Sequence, residues 1–244
     1  MNEILLMSGL SMVWAMMAGT QEKFETDTIK TDTGDLKITF IGHGTVMFAY
    51  GGKIIHVDPY SELADYSQLP KADLILLTHD HRDHLDLKAL NPVRTGKTIV
   101  LLPQICAKQV NGGIVMNNGD VMTIEGLKIE AVPAYNLVNK RNNGEAFHPK
   151  GNGNGYIITF GDRRVYVAGD TENIPEMKVL KGIDVAFLPM NLPFTMTAEM
   201  VADSAKAFKP KILYPYHFGN TDTSRLLDLM KGTKGVEIRI RKMK

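Results

Sequence analysis

The sequence predicts an α/β (α+β) domain, and two observations carry that prediction. Short apolar runs of strand length follow one another along most of the chain, with helical periodicity between only some of them. Polar, chemistry-bearing residues then stand directly after such runs, at His79, Asp170 and His217. That placement is expected where loops project ligands from a rigid sheet edge.

The elements read in order as follows. Residues 36–41, 46–50 and, after a Gly51-Gly52 turn, 53–57 predict strands joined as antiparallel hairpins, the last ending in Asp58-Pro59. Further strand-like runs are 74–78, 98–102, 127–132, 156–160, 164–168, 185–188, 211–214 and 236–240. The clearest helix is 197–208: Met200, Val201, Ala205 and Phe208 share one face, and Thr197 and Glu199 suit its first turn. No internal repeat and no interior linker is visible.

The N-terminus reads differently. Ile4 to Gly19 is apolar and uncharged, and a polar run to Asp35 follows. It resembles the apolar part of a signal peptide ending in small residues, although the opening Met-Asn-Glu lacks the usual basic charge. A buried or amphipathic helix is the alternative. The favoured division is therefore a signal peptide over 1–19, a linker over 20–35 and a catalytic domain over 36–244. On this reading the mature chain is exported, periplasmic or secreted, and keeps no membrane span; a cytoplasmic chain is the alternative.

Composition excludes little. A chain of 244 residues with 44% hydrophobic content can bury a full core. Its 28 basic and 27 acidic residues nearly cancel, so no global field recruits nucleic acid or an anionic membrane. The single cysteine, Cys106, can form neither an internal disulfide nor a thiolate-rich zinc site. Metal chemistry must rest on Asp and the seven histidines.

Four potential ligands, His79, His81, Asp83 and His84, fall within six residues after the strand at 74–78. Imidazole and carboxylate are what zinc accepts without thiolate, and a tight turn can aim His79 and His81 at one ion and Asp83 and His84 at another. A solvated helix start explains such residues singly but not as a cluster. This HxHxDH pattern, followed by Ala168-Gly169-Asp170-Thr171 and Tyr214-Pro215-Tyr216-His217, resembles the metallo-β-lactamase-fold superfamily from about Leu36 to the C-terminus.

The resemblance implies a four-layer αββα sandwich holding two divalent ions, Zn²⁺ first and Mn²⁺ as the alternative, with a bridging hydroxide as nucleophile. It implies His79 and His81 as ligands of the first ion, Asp83, His84 and His217 as ligands of the second, and Asp170 as the bridge. Asp170, Asp83 and His43 are thus the expected catalytic residues. The family's third histidine for the first ion is missing from its usual place, where this chain has Pro133-Ala134-Tyr135-Asn136. His148, twelve residues on in an Asn- and Gly-rich loop, is expected to fill that position, with Asn136, a poor zinc ligand, left to contact substrate; the alternative is that Asn136 takes the ligand place and His148 contacts substrate or solvent.

Gly42-His43-Gly44 lets the backbone turn sharply and present an imidazole. It is similar to the Gly-His of the subgroup containing ascorbate-phosphate lactonase and N-acyl-phosphatidylethanolamine phospholipase D, which implies substrate binding or proton transfer by His43; a purely structural turn is the alternative. Asp58 is expected to orient a ligand histidine and not to touch an ion, and His56 to be only a strand residue. The apolar loop 190–196, with Phe194, is either a pocket wall or buried packing. Lys140, Arg141 and Lys150 can receive a phosphate or carboxylate, or simply face solvent.

The expected activity is hydrolysis of a small phosphodiester, lactone or related ester, with a β-lactam behind them. A noncatalytic metal-binding protein and a redox diiron protein on the same fold are the rivals. The diiron class usually shows Glu in place of His81 and a following flavin domain, and nucleic-acid-processing members carry a large insertion; this chain has none of these.

Overall fold

The computed structural model describes residues 24–244. Among them, β1 (Glu25–Thr31), β2 (Gly34–Gly42), β3 (Thr45–Tyr50), β4 (Lys53–Val57), β5 (Leu74–Leu76), β6 (Ile99–Leu102) and β7 (Ile114–Val115) form one sheet in that order. The strands β8 (Val121–Ile124), β9 (Leu127–Ala134), β10 (Gly153–Phe160), β11 (Arg163–Val167), β12 (Val185–Pro189), β13 (Ile212–Tyr216) and β14 (Glu237–Ile238) form a second, again in chain order. Each sheet opens with four antiparallel strands and closes with parallel ones. The two halves therefore repeat in topology, though no repeat is visible in the sequence.

The sheets pack face to face through aromatic side chains. Phe40 and Phe48 of the first sheet meet Tyr214, Phe160 and Phe187 of the second, at centroid distances of 4.9 Å for Phe40–Tyr214 and 5.5 Å for Phe48–Phe160. Period-two alternation sorts the parallel strands between two cores. Leu74, Leu76 and Leu101 face the second sheet, whereas Ile75, Leu77, Val100 and Leu102 pack outward with Leu90 and Val93. Those two belong to α1 (Leu87–Val93), which covers the first sheet.

The other face carries α2 (Pro175–Lys178), α3 (Ala198–Phe208) and α4 (Ser224–Met230). Thr197 caps α3, its hydroxyl accepting from Met200 N at 3.1 Å, and Val201, Ala205 and Phe208 are buried. Phe208 meets Tyr166 edge-on. The architecture is the four-layer αββα sandwich.

Residues 20–35 are not a uniform linker. β1 pairs with β2 from Glu25↔Phe40 to Thr31↔Gly34, so the folded domain begins at least eleven residues before 36. Only Ile29 of this edge strand is buried, and its polar composition hides it from a hydrophobicity reading. The expected signal peptide, 1–19, lies outside the described residues. No helix among the described residues is long and apolar enough to cross a membrane.

Strand direction positions the site. β2, β4 and β5 share one direction, so His43, Asp58 and His79 follow them at the same edge. β9, β11, β12 and β13 likewise run together and end at Asn136, Asp170, Asn191 and His217.

Candidate metal centre

Two groups of side chains converge at this edge. His79, His81, His148 and Asp170 offer ligand atoms within 4.8 Å of one another, and His43, Asp83, His84 and His217 do the same. Asp170 faces both groups. Its Oδ2 lies 3.3 Å from His148 Nε2 and 3.9 Å from His79 Nε2, and also 3.4 Å from His217 Nε2. Its Oδ1 lies 3.5 Å from His84 Nε2.

The backbone is bent to make this convergence. His43, Asp58 and His217, each just past a strand, adopt φ of 49°, 46° and 49°. Non-glycine residues in that left-handed region cost about 1–3 kcal/mol each and persist where surrounding contacts over-determine them. His217 N donates to His43 O at 2.9 Å, and Asp58 N to Leu76 O at 3.0 Å. After β5 the chain turns tightly, with His84 N and Leu85 N both donating to His81 O, and buried Leu85 pins the turn to the outer core. Gly44 lets His84 approach: a Cβ there would lie 2.6 Å from His84 Cε1.

Hydrogen bonds fix the ring tautomers. Asp58, fully buried, accepts from Thr78 N (2.8 Å), Thr78 Oγ1 (2.6 Å) and His84 Nδ1 (2.8 Å). Thr78 Oγ1, having donated to Asp58, accepts from His79 Nδ1 at 3.0 Å. His148 Nδ1 donates to Asn136 Oδ1 at 2.6 Å. Each of the three rings thus spends its Nδ1 on that hydrogen bond and turns Nε2 inward as the ligand atom. The buried atoms His79 Nε2, His84 Nε2, His217 Nε2 and Asp170 Oδ1 have no hydrogen-bond partner. Converging ring nitrogens and a carboxylate oxygen left without partners in a buried space are costly, and a cation is the group that satisfies them together.

The charges agree with that demand. Burial alone would raise Asp170, but the imidazoles of His217, His84 and His148 hold it well below the usual carboxylate range. Burial opposes charge on Asp83 too, yet the nearby imidazoles of His217, 3.4 Å away, and of His43, hydrogen-bonded at 2.9 Å, keep it ionised. Burial and the nearby His84 hold His79 neutral, the state a metal ligand requires. For His84, the carboxylates of Asp170, Asp58 and Asp83 outweigh burial and push it up to about 10. That gain of a proton is what a bound cation would displace.

A family profile for a beta-lactamase superfamily domain matches residues 37–217. The chain belongs to the metallo-β-lactamase superfamily. A UPF0173 metal-dependent hydrolase of Nanoarchaeum equitans is 33% identical over 189 residues, spanning 75% of this chain and 84% of that protein. A crystal structure of a provisionally named metal-dependent hydrolase from Parabacteroides distasonis shares 50% identity with a TM-score of 0.87, covering 91% of this chain and all of that one. The metallo hydrolase Igni18 of Ignicoccus hospitalis is 26% identical with a TM-score of 0.69, covering 84% of this chain and 94% of that one.

Within this superfamily member, the structure brings every expected ligand together. His148, not Asn136, reaches the first group. Asn136 is also not in the substrate cleft: buried, it accepts from His148 N and Nδ1 and donates to Glu172 Oε1 and Phe194 O. Its four hydrogen bonds leave it nothing to offer a substrate. His43 is partly exposed, its Nε2 2.9 Å from Asp83 Oδ2 and its ring 3.7 Å from that of His217. His56 is a buried strand residue, as expected, donating to Pro70 O at 3.0 Å.

A cleft of about 390 Å³ opens over both groups, lined on its outer side by Arg141, Phe147, Asn191 and Phe194. The loop 190–196 serves both expected purposes, since Met190, Thr195 and Met196 are buried while Asn191 and Phe194 face the cleft. Glu172 escaped the sequence reading. It is fully buried and accepts from Leu137 N, Val138 N and Asn139 N, each at 2.7 Å, besides Asn136. Its place two residues after Asp170 was the only available signal.

Proposed function

We propose that this metal-dependent hydrolase of the metallo-β-lactamase superfamily holds two divalent ions, Zn²⁺ in preference to Mn²⁺, and cleaves a small ester. The observation that carries the reading is Asp170, whose carboxylate stands between two groups of inward-facing imidazoles. His79, His81 and His148 would hold one ion, Asp83, His84 and His217 the other, and Asp170 both. A ligand set of imidazole and carboxylate without thiolate suits zinc and leaves manganese as the harder alternative.

When bound, such ions supply Lewis acidity toward a carbonyl or phosphoryl oxygen and bring the pKa of water toward neutrality. The chain's own groups do the rest. Asp58, Thr78 and Asn136 hold the rings of His84, His79 and His148 by Nδ1, so that each turns Nε2 inward. His43 steadies Asp83 and, being partly exposed at the cleft, is placed to give a proton to the leaving group. Phosphodiesters and lactones are the proposed substrate classes, ahead of β-lactams, and the resemblance of Gly42-His43-Gly44 to the subgroup containing ascorbate-phosphate lactonase and N-acyl-phosphatidylethanolamine phospholipase D supports that order.

The test is turnover of bis(4-nitrophenyl) phosphate, a γ-lactone and a β-lactam by protein reconstituted with zinc or manganese. Cleavage of the first or second, abolished by chelation and restored by metal, is expected. Absence of turnover on all three with both sites filled would favour a noncatalytic metal-binding protein. Export is likewise proposed, from the uncharged run Ile4 to Gly19; N-terminal sequencing of the secreted or periplasmic fraction, showing cleavage near Gly19, would bear it out, and an intact N-terminus would count against it.

A further inference from the structure

The cations of the loop beside the cleft are not equivalent. Lys150 is held by Glu176 at 2.8 Å and by the Tyr135 hydroxyl, and Arg82 by Glu62 at 2.7 Å. Arg141 lines the cleft and has no carboxylate partner among the described residues. Its backbone is braced by Arg141 N donating to Glu145 O (2.7 Å), Gly144 N donating to Arg141 O (2.9 Å), and a Lys140↔Ala146 bridge. Its guanidinium carbon lies 5.1 Å from the centre of the Phe147 ring. Phe147 in turn meets Phe194 edge to face at 5.1 Å, and Phe194 is 41% exposed. A cation and an apolar wall therefore stand side by side at the mouth of the metal centre.

Resting on the hydrolase reading above, we propose that Arg141 is the specificity-determining residue that receives an anionic group of the substrate, a carboxylate or phosphoryl oxygen pair separate from the scissile ester, while Phe147 and Phe194 take its apolar part. The planar guanidinium fork matches such an oxygen pair in a way a lysine does not. Arg141 Nη2 now lies 3.2 Å from His81 Nε2. A guanidinium cannot accept, so that contact requires a bare Nε2 on His81. The other contact of Nη2 is the Phe147 carbonyl, so both present partners are uncharged acceptors, and an incoming anion is the stronger partner for the guanidinium.

The experiment compares 4-nitrophenyl esters whose five-position chain ends in carboxylate (hydrogen glutarate), phosphonate (4-phosphonobutyrate) or methyl (valerate). Wild-type protein is expected to prefer a charged ester by roughly 10–100-fold in kcat/KM, carried by KM, and Arg141→Met to bring the charged-to-neutral ratio toward one. Arg141→Lys is expected to recover only part of it. The carboxylate-to-phosphonate ratio identifies which acid the site takes. A wild-type ratio near one, or a loss in Arg141→Met equal for charged and neutral esters, overturns the assignment. Calorimetric titration of phenylacetate and phenylphosphonate into metal-loaded wild type and Arg141→Met provides a readout that needs no turnover. A weakening of about tenfold or more in the variant supports Arg141 even if every ester proves inert, which would instead count against the hydrolase reading; equal affinities overturn the assignment.

Discussion

His148 Nδ1 lies 2.6 Å from Asn136 Oδ1, and the same oxygen accepts from His148 N at 2.9 Å. Asn136 thus stands in the sequence where the superfamily resemblance leads one to expect a histidine, and it holds in place the histidine that replaces it. His148 lies twelve residues further along the chain, and Asn136 supports its ring.

Removing that support has a graded effect. Asn136→Ala leaves His148 Nδ1 buried without an acceptor, so the ring loses its fixed tautomer, and affinity for one ion is expected to fall about 10–100-fold. His148→Ala, which removes the imidazole itself, is expected to weaken the same ion further. Competition with a chromophoric chelator measures both, and unchanged two-ion affinity in His148→Ala would remove it from the ligand set.

Much of this was legible in the sequence, and the boundary has physical causes. The parallel strands β5, β6 and β12 read clearly because both faces are buried and their residues are uniformly apolar. The edge strands β1 and β7 did not read, since β1 presents Thr and charge to solvent and β7 is only two residues long, whereas the edge strand β14 falls within the expected run 236–240. The HxHxDH cluster was legible because its ligands are consecutive in one turn. Glu172 and the orienting role of Asn136 were not, because each acts through contacts between loops that only the closed sheet edge brings together. His148 stood between: its chemistry was visible, its position in space was not.

Glu172 predicts a loop defect. Each of its oxygens accepts two N–H groups, so Glu172→Gln replaces one acceptor by a donor facing donors. The expected cost is about 1.5–3 kcal/mol in unfolding free energy, with faster proteolysis between residues 137 and 155. Denaturant unfolding and timed protease digestion test this together, and wild-type behaviour in both would contradict the role.

Gly44→Ala is expected to damage the metal centre without unfolding the chain. The new Cβ would meet the His84 ring at 2.6 Å, and that ring cannot retreat without leaving Asp58. Loss of one ion and a fall of about a hundredfold in turnover are expected, with an unchanged circular dichroism spectrum. Retained binding of both ions would show that the turn at Gly44 yields more easily than its contacts imply.

His56 predicts an acid-sensitive step away from the metals. Burial holds its pKa at about 4, against 6.5 when exposed, so the unfolded chain takes up the proton first as pH falls. Its contribution is complete above pH 6.5, declines through the interval down to about 4 and is then lost, roughly 3 kcal/mol in all. His56→Gln should therefore show a shallower fall of unfolding free energy with acidification over that interval. Parallel pH profiles of the two proteins would refute this burial effect.

The central claim, two ions held across Asp170, is tested most directly by elemental analysis of protein purified without chelator, then stripped, reconstituted with zinc and dialysed to constant metal content. Two equivalents per chain are predicted for the wild type, with a clear loss in Asp170→Ala, whose carboxylate faces both groups. A wild-type stoichiometry that stays at one or zero after reconstitution would contradict the dinuclear account.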